Sequence, residues 1–295
     1  MDALSPYLLH IGIMTGIYVL LAQSLNIMLG YSGLLSLATP ALLGMGAYAS
    51  ALLSMKLGWD SSITFSCASA IGALTGVALG VPSLRLSRHS FVIVTLSATL
   101  LLQLIASNWI DLTRGALGLA DIPAARLFGL TLVSKAAWLV LMLALSALTI
   151  AAFWALVSSR LGRAMIAVRD NEPLAVASGI DVLKIRLFAF GCSGALAGLA
   201  GACYAHYLSF IDPGVFGFSV SESLLVMVIL GGSGTLWGPV VGAVIFTTLP
   251  ELLRMAPEVK SLLYGVLLLL IVLFMPQGMA PWFGRSSAVS AAAGK

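Results

Sequence analysis

The sequence predicts an all-α fold, a polytopic transmembrane helical bundle of about eight spans. Of its 295 residues, 60% are hydrophobic and only 9% are charged, whereas a soluble chain carries about 25% charged residues. Apolar stretches long enough to cross a membrane, which takes about 20 residues, recur along the chain. These observations exclude a soluble domain with a single anchor.

The spans are predicted as apolar runs between charged residues. Five come first along the chain, at 8–29, 34–54, 63–84, 90–110 and 136–158. A charged loop follows. After it we expect a span at 187–208, a broken stretch at 220–253 and a last span at 261–275.

The broken stretch is interrupted by small residues. Gly231, Gly232, Ser233 and Gly234 follow its short first half, and Pro239 lies beyond them. Non-helical backbone at membrane depth is tolerated only where protein or a water-filled cavity surrounds it. Two short spans and a re-entrant hairpin both fit this pattern.

The basic residues predict the orientation of the chain. The fifteen Lys and Arg residues give a net charge of +4 but form no dense basic face, so we expect no nucleic-acid partner. Cytoplasmic loops carry an excess of Lys and Arg, and placing the loop 159–186 inside puts nine of the fifteen on that side. We predict one transmembrane domain over 1–285, with its first span retained, and a short cytoplasmic tail over 286–295.

Small residues recur at helical spacing in two spans. Gly72, Gly76 and Gly80 lie in the third span, and Gly194 and Gly198 lie in the sixth. Helices in lipid associate through such residues because they let backbones approach. The three cysteines lie inside apolar stretches without CxxC spacing, so we expect core residues rather than disulfide or metal ligands.

Two segments share a GxSGxL pattern, 30–35 and 231–236, and each is followed by a proline. Gly- and Pro-interrupted apolar segments in corresponding halves of a chain are typical of transport sites. The candidate residues of a translocation path are therefore Ser32, Gly33, Ser233 and Gly234. Packing glycines, or a chance match in a glycine-rich chain, are the alternatives that the sequence leaves open.

Several catalytic motifs are missing from the sequence. It contains no GxxxxGK[ST] loop for nucleotide phosphates, no HExxH pair and no GxSxG elbow. We therefore expect no catalytic residue, no cofactor and no metal. Ion-coupled transporters usually carry ionisable residues in mid-span, and here Glu222 is the nearest example. A stand-alone secondary transporter or channel is the rival interpretation.

The charged loop contains the signals of a short helix. Asp170 or Asn171 can cap it, Glu172 and Pro173 suit its first turn, and Gly179 can end it. A defined cap, start and stop predict a rigid amphipathic helix between two spans. Such an element suits docking to another protein.

Three blocks of the chain resemble branched-chain amino-acid ABC permeases of the Liv type. They are GRAMIAVRDNEPLAVASGIDVLKIRLFAFGCSGALAGLAGACYA at 162–205, GYSGLLSLATPALLGMGAYASALL at 30–53 and LGGSGTLWGPVVGAVIF at 230–246. A fourth, TRGALGL at 113–119, resembles the family's TGGxxGL loop but has Arg114 at its second position. The blocks run in the family's order across most of the chain.

The resemblance implies a bacterial ABC importer of the cell inner membrane, in which this chain forms the translocation path for branched-chain or related amino acids within the membrane lipid. It also implies three kinds of partner: a second permease subunit, cytoplasmic ATP-binding subunits and a periplasmic substrate-binding protein. Importers of urea and short-chain amides look much alike, so they remain the alternative.

The resemblance further implies that the segment around 172–179 is a coupling helix, which sits in a groove of the ATPase. The candidate coupling residues are Arg169, Asp170, Asn171, Glu172 and Gly179. Pro173 and Leu174 depart from the general pattern of ABC importers, in which two alanines follow the glutamate. We expect Glu172 to be exposed for docking and not to touch the spans.

Overall fold

A computed structural model describes residues 6–127 and 129–252, together with the single helical positions 266 and 269. Within these residues, five helices are long and apolar enough to cross a membrane. The prediction of an all-α transmembrane bundle is confirmed. Apart from those two positions, the predicted span 261–275 and the tail 286–295 lie outside the described residues, so the count of about eight spans and the domain limits stay predictions.

The described chain consists of helices with a few short strands. In chain order the helices are α1 (Pro6–Asn26), α2 (Thr39–Leu57), α3 (Ser61–Ser83), α4 (Arg88–Asn108), α5 (Ile110–Thr113), α6 (Lys135–Ser158), α7 (Arg160–Asp170), α8 (Glu172–Ala177), α9 (Val182–Leu208), α10 (Phe218–Gly231) and α11 (Gly238–Leu252). A π-helical turn, Ile27–Tyr31, prolongs α1, and 3-10 turns cover Gly115–Leu117 and Pro213–Phe216. Two antiparallel strand pairs join β1 (Leu119–Ala120) to β4 (Phe210–Ile211) and β2 (Arg126–Leu127) to β3 (Leu130–Thr131).

α9 is the central helix and packs against α1, α2 and α3. Its contact with α3 runs through glycines. A Cβ at Gly72 would collide with the carbonyl of Gly194, and a Cβ at Gly198 would collide with the carbonyl of Ala68. The predicted small-residue interface is therefore confirmed, and it brings the backbones of α3 and α9 into direct contact.

The second predicted span begins later than its hydrophobic run indicates. The chain over 32–38 is not helical, and α2 begins only at Thr39. Gly33 has a φ of +67°, a left-handed conformation that a right-handed helix cannot continue through. Glycine adopts this conformation readily because it has no Cβ. The carbonyl of Leu37 accepts a hydrogen bond of 3.0 Å from Thr99 Oγ1 of α4, so the unwound backbone is satisfied by a neighbouring helix.

The broken stretch forms a helical hairpin of α10 and α11. α10 has 14 residues and is about 21 Å long, which is shorter than the ~30 Å hydrocarbon core. The two helices touch through their backbones, since a Cβ at Gly231 would collide with the carbonyl of Gly238 and one at Gly242 with that of Met227. At the tip of the hairpin, residues 232–237, Gly234 lies beside the Arg169 side chain of α7.

Arg114 lies in a left-handed backbone conformation after α5, with a φ of +58°. This conformation costs a residue with a Cβ about 1–2 kcal/mol, and glycine adopts it readily. We expect Arg114→Gly to raise the free energy of unfolding by about 1 kcal/mol, measured by thermal unfolding of the purified protein in detergent. Arg114→Ala removes the same side chain but keeps the strained backbone. Equal midpoints for the two variants would contradict this prediction.

Candidate coupling and translocation site

The charged loop folds into two helices that meet at Asn171. α7 begins after Ser159, whose Oγ accepts a hydrogen bond of 3.2 Å from the backbone N–H of Gly162. α8 begins after Asn171, whose Oδ1 accepts one of 3.1 Å from the N–H of Leu174. Of the two predicted caps, Asn171 therefore caps the helix, and Asp170 is the last residue of α7.

The end of α8 is a turn around Gly179. Its φ is +81°, its N–H donates to the carbonyl of Val176 at 2.9 Å, and the N–H of Ile180 donates to Ala175 at 3.0 Å. A Cβ at Gly179 would meet no atom within 4 Å. The cost of replacing this glycine is therefore the backbone conformation alone.

α8 presents an apolar surface. Its one buried residue is Ala175, whereas Leu174 is 62% and Val176 is 58% exposed. A helix of six residues is not stable by its own hydrogen bonds, so its cap, its terminal turn and its attachment to the bundle hold it in place.

Glu172 attaches α8 to α9 through Arg186. The guanidinium Nη1 and Nη2 donate to the two carboxylate oxygens at 3.0 and 2.7 Å. Arg186 is buried in the first part of α9, and its side chain is 10% exposed against 38% for Glu172. The expectation that Glu172 does not touch the spans is wrong, because its carboxylate pairs with Arg186 of α9.

The start of α9 is capped independently by Asp181. Its Oδ1 accepts a hydrogen bond of 3.1 Å from the N–H of Lys184, and its Oδ2 lies 3.1 Å from the Lys184 ammonium. These interactions, chiefly the backbone hydrogen bond, lower the pKa of Asp181. The carboxylate is therefore kept in its ionised, capping form.

The tip of the α10–α11 hairpin is fastened to the end of α1 by two buried amides. Asn26 Nδ2 donates to the carbonyl of Thr235 at 2.9 Å, and its Oδ1 accepts from the N–H of Gly234 at 2.9 Å. Gln23 Nε2 donates to the carbonyl of Leu236 at 2.8 Å. Both amides are fully buried, so a lost hydrogen bond would leave a buried polar group unpaired.

Arg169 connects α7 to both GxSGxL segments. Its Nη1 donates to the carbonyl of Gly30 at 2.6 Å. A Cβ at Gly33 would lie 2.8 Å from the Cγ of Arg169, and a Cβ at Gly234 would lie 2.8 Å from its Nη1. Gly33 and Gly234 both have positive φ, +67° and +78°. We call Gly30, Gly33, Gly234 and Arg169 the Arg169 cluster.

The structure thus joins residues that the sequence assigned to two separate sites. Arg169 was a candidate coupling residue, whereas Gly33 and Gly234 were candidates for the path, and both glycines lie against the Arg169 side chain. Ser32 is buried and its Oγ donates to the carbonyl of Ile27 at 3.1 Å. Ser233 is exposed at the hairpin tip. The roles of these residues in transport stay predictions.

Sequence reasoning missed the residues that hold the cluster together. Gln23 and Asn26 are two amides spaced by three residues in an otherwise apolar span, and this spacing places them on one helix face. Polar side chains at that depth find partners inside the protein. Arg186 gave no comparable signal, because a basic residue beside a predicted cytoplasmic loop is expected to be exposed.

Interrupted helices whose unwound segments meet beside a charged loop define a class of protein, the polytopic membrane transport proteins. Comparison with known proteins identifies the family within this class. The chain belongs to the family described as branched-chain amino acid transport system, permease component, whose sequence profile matches residues 7–272. The predicted resemblance is confirmed.

Two of three individual relatives cover nearly the whole chain. It is 33% identical over 294 residues to the high-affinity branched-chain amino acid permease LivM of Salmonella typhimurium, covering 92% of this chain and 69% of LivM. It is 26% identical over 286 residues to LivH of the same organism, covering 89% of this chain and 90% of LivH. It is 30% identical over 185 residues to the autoinducer 2 permease LsrC of Yersinia pseudotuberculosis, covering 59% of this chain and 49% of LsrC.

No solved structure matches the chain. Membership of the permease family and the apolar helices together identify it as a multi-pass protein of the bacterial inner membrane.

Proposed function

We propose that the chain is the permease subunit of a bacterial ABC importer for branched-chain amino acids. The relatives LivM and LivH, both named as branched-chain amino acid permeases, support the substrate class. Similarity to both of them supports an assembly with a second, related permease subunit. Cytoplasmic ATP-binding subunits and a periplasmic substrate-binding protein complete the proposed importer.

The observation that carries the coupling part of this proposal is the Arg169 cluster. An ATP-binding subunit that moves α8 would also move α7, since the two helices meet at Asn171. The Arg169 side chain on α7 contacts the segments that follow α1 and α10. Movement of α8 would therefore reach both interrupted segments through one side chain.

The candidate coupling residues have different parts in this arrangement. Asn171 and Gly179 define where α8 begins and ends, and Glu172 attaches it to α9. Asp170 accepts a hydrogen bond of 2.9 Å from Arg169 Nε and orients that side chain. The docking surface is then the exposed apolar face of α8, which suits an apolar groove on the ATPase.

Uptake by the reconstituted assembly tests the function. Proteoliposomes that contain both permeases and the ATP-binding subunits should accumulate labelled leucine, isoleucine and valine when the binding protein is outside and ATP is inside. Liposomes with this chain alone should show no concentrative uptake. Accumulation by the chain alone would support the rival secondary transporter, and uptake of urea or a short-chain amide in place of leucine would replace the substrate class.

The turn at Gly179 provides a test of docking. A valine at a φ of +81° costs about 1–2 kcal/mol, which is about five- to thirtyfold in the population of the native turn. We expect Gly179→Val to reduce co-purification of the ATP-binding subunit and substrate-stimulated ATP hydrolysis. The matched control is Gly58→Val, because Gly58 also has positive φ, with no atom within 4 Å of its Cβ position, but lies at the C-terminus of α2. Equal losses in both variants would contradict docking at α8.

A further inference from the structure

A cavity of about 100 Å³ lies between α1, α2, α9 and the beginning of α10. Its walls include the buried side chains of Ile17 and Leu43, together with Val220. Ile17 is near the middle of the continuous helix Pro6–Tyr31, whereas Asp212 and Gly214 belong to the connection between α9 and α10. The cavity therefore extends from the middle of α1 toward the end of the bundle at which α9 ends. Substrate sites of transporters lie beside interrupted helices.

The cavity has the size of a small aliphatic group. An apolar cavity of about 150 Å³ accommodates benzene, which has six carbons. By that scale, 100 Å³ accommodates about four carbons, the number in the leucine side chain. The apolar wall would therefore accept the side chain of a branched-chain amino acid without a hydrogen-bonding partner.

Asp212 supplies a carboxylate to the same cavity. Its Oδ1 accepts a hydrogen bond of 2.8 Å from the N–H of Gly214 and caps the 3-10 turn Pro213–Phe216. In the part of the chain that the structure describes, the ion pairs are Arg169 with Asp170, Lys184 with Asp181 and Arg186 with Glu172, and none includes Asp212. A partly exposed carboxylate at the wall of a cavity can pair with a positively charged ligand.

We propose that this cavity binds the aliphatic side chain of the amino acid in transit, against Ile17, Leu43 and Val220, while Asp212 pairs with the α-ammonium group. The proposal rests on the proposed function and adds the residues that contact the substrate. An apolar amino acid needs both a carboxylate for its ammonium group and an apolar surface for its side chain. The proposal therefore accounts for the position of Asp212 beside aliphatic side chains.

Asp212→Asn removes the negative charge but keeps the side-chain oxygen that caps the 3-10 turn. Asparagine caps helical turns about as well as aspartate does, so the fold should be kept while the charge pair is lost. We expect affinity for labelled leucine, measured on the purified permease assembly without the binding protein, to fall about ten- to hundredfold. Asp181→Asn is the matched control, because Asp181 is also a capping aspartate but lies at the start of α9. Leucine affinity should be unchanged in that variant.

Three ligands test which group of the substrate is recognised. Leucine and isoamylamine, which keeps the ammonium but lacks the carboxylate, should raise the midpoint of thermal unfolding of the wild-type assembly. Isovalerate, which lacks the ammonium, should not. Val220→Phe fills the cavity and should abolish the effect of leucine, with the unfolding midpoint of the free assembly as the check on folding.

The outcomes separate this inference from the proposed function. If Asp212→Asn binds leucine as the wild type does, or if isovalerate stabilises as well as isoamylamine, the site is wrong even where ATP-driven leucine uptake is normal. If the wild-type assembly transports no branched-chain amino acid, the proposed function fails, whereas selective binding of isoamylamine would still support an ammonium site at Asp212.

Discussion

Replacing Arg169 with alanine is expected to reduce ATP-driven uptake at least about tenfold while the ATP-binding subunit stays bound. A charged hydrogen bond such as that from Arg169 to the carbonyl of Gly30 is worth about 1.5–3 kcal/mol, or about ten- to hundredfold in an equilibrium. The apolar face of α8 is untouched by the substitution. The expected result is therefore loss of transport and of substrate-stimulated ATP hydrolysis, with unchanged co-purification.

The matched control for this experiment is Arg163→Ala. Arg163 also lies on α7 and also donates to a backbone carbonyl, that of Ser158, at 2.8 Å, but it does not belong to the Arg169 cluster. Uptake should be close to wild type in this variant. Arg169→Lys retains the charge and should recover part of the transport. A similar loss in Arg163→Ala and Arg169→Ala would mean that α7 needs its arginines only for general electrostatic reasons.

A double-mutant cycle tests the contact itself. Gly33→Ala alone places a Cβ 2.8 Å from the Arg169 Cγ at a φ of +67°, so it suffers both a steric and a backbone cost. Arg169→Ala removes the steric part. We expect the cost of the double variant to be lower than the sum of the single costs by about 1 kcal/mol, measured by thermal unfolding. Additive costs would show that the residue at position 33 does not interact with Arg169.

Reversing the charge of Glu172 is expected to destabilise the bundle, and not only its docking surface. Breaking a buried ion pair costs about 3–5 kcal/mol, because the remaining charge is left without a partner. Since the Glu172 side chain is 38% exposed, we expect about 2–3 kcal/mol for Glu172→Lys, seen as a lower midpoint of thermal unfolding in detergent.

The swapped pair and an exposed pair serve as the controls. Glu172→Arg combined with Arg186→Glu restores opposite charges at the same two positions and should regain at least part of the stability. Lys184→Glu reverses the charge of the residue that pairs with Asp181. The Lys184 side chain is 83% exposed, so this variant should change stability far less. A reversed Glu172 that unfolds at the wild-type midpoint would exclude the attachment of α8 to α9.

Local features of the chain could be predicted because each depends on neighbouring residues. Apolar runs of sufficient length gave the positions of α1, α3, α4, α6 and α9. The cap at Asn171 and the turn at Gly179 follow from side-chain and backbone chemistry within one helical turn. The late start of α2 was missed because residues 34–38 are mostly apolar, and hydropathy does not detect an unwound segment whose hydrogen bonds are made by another helix.

The sequence by itself determined the membrane class, the family and most of the places where helices start and stop. Only the tertiary structure decided which of those places meet. Arg169 reaches a carbonyl 139 residues away at Gly30, and Asn26 bonds to residues 208 and 209 positions further along the chain. Such contacts depend on how the helices pack against each other through their glycines. The local periodicity of the sequence does not predict that packing. The same packing assigns Glu172 to a buried arginine and brings Asp212 beside the aliphatic wall of a cavity.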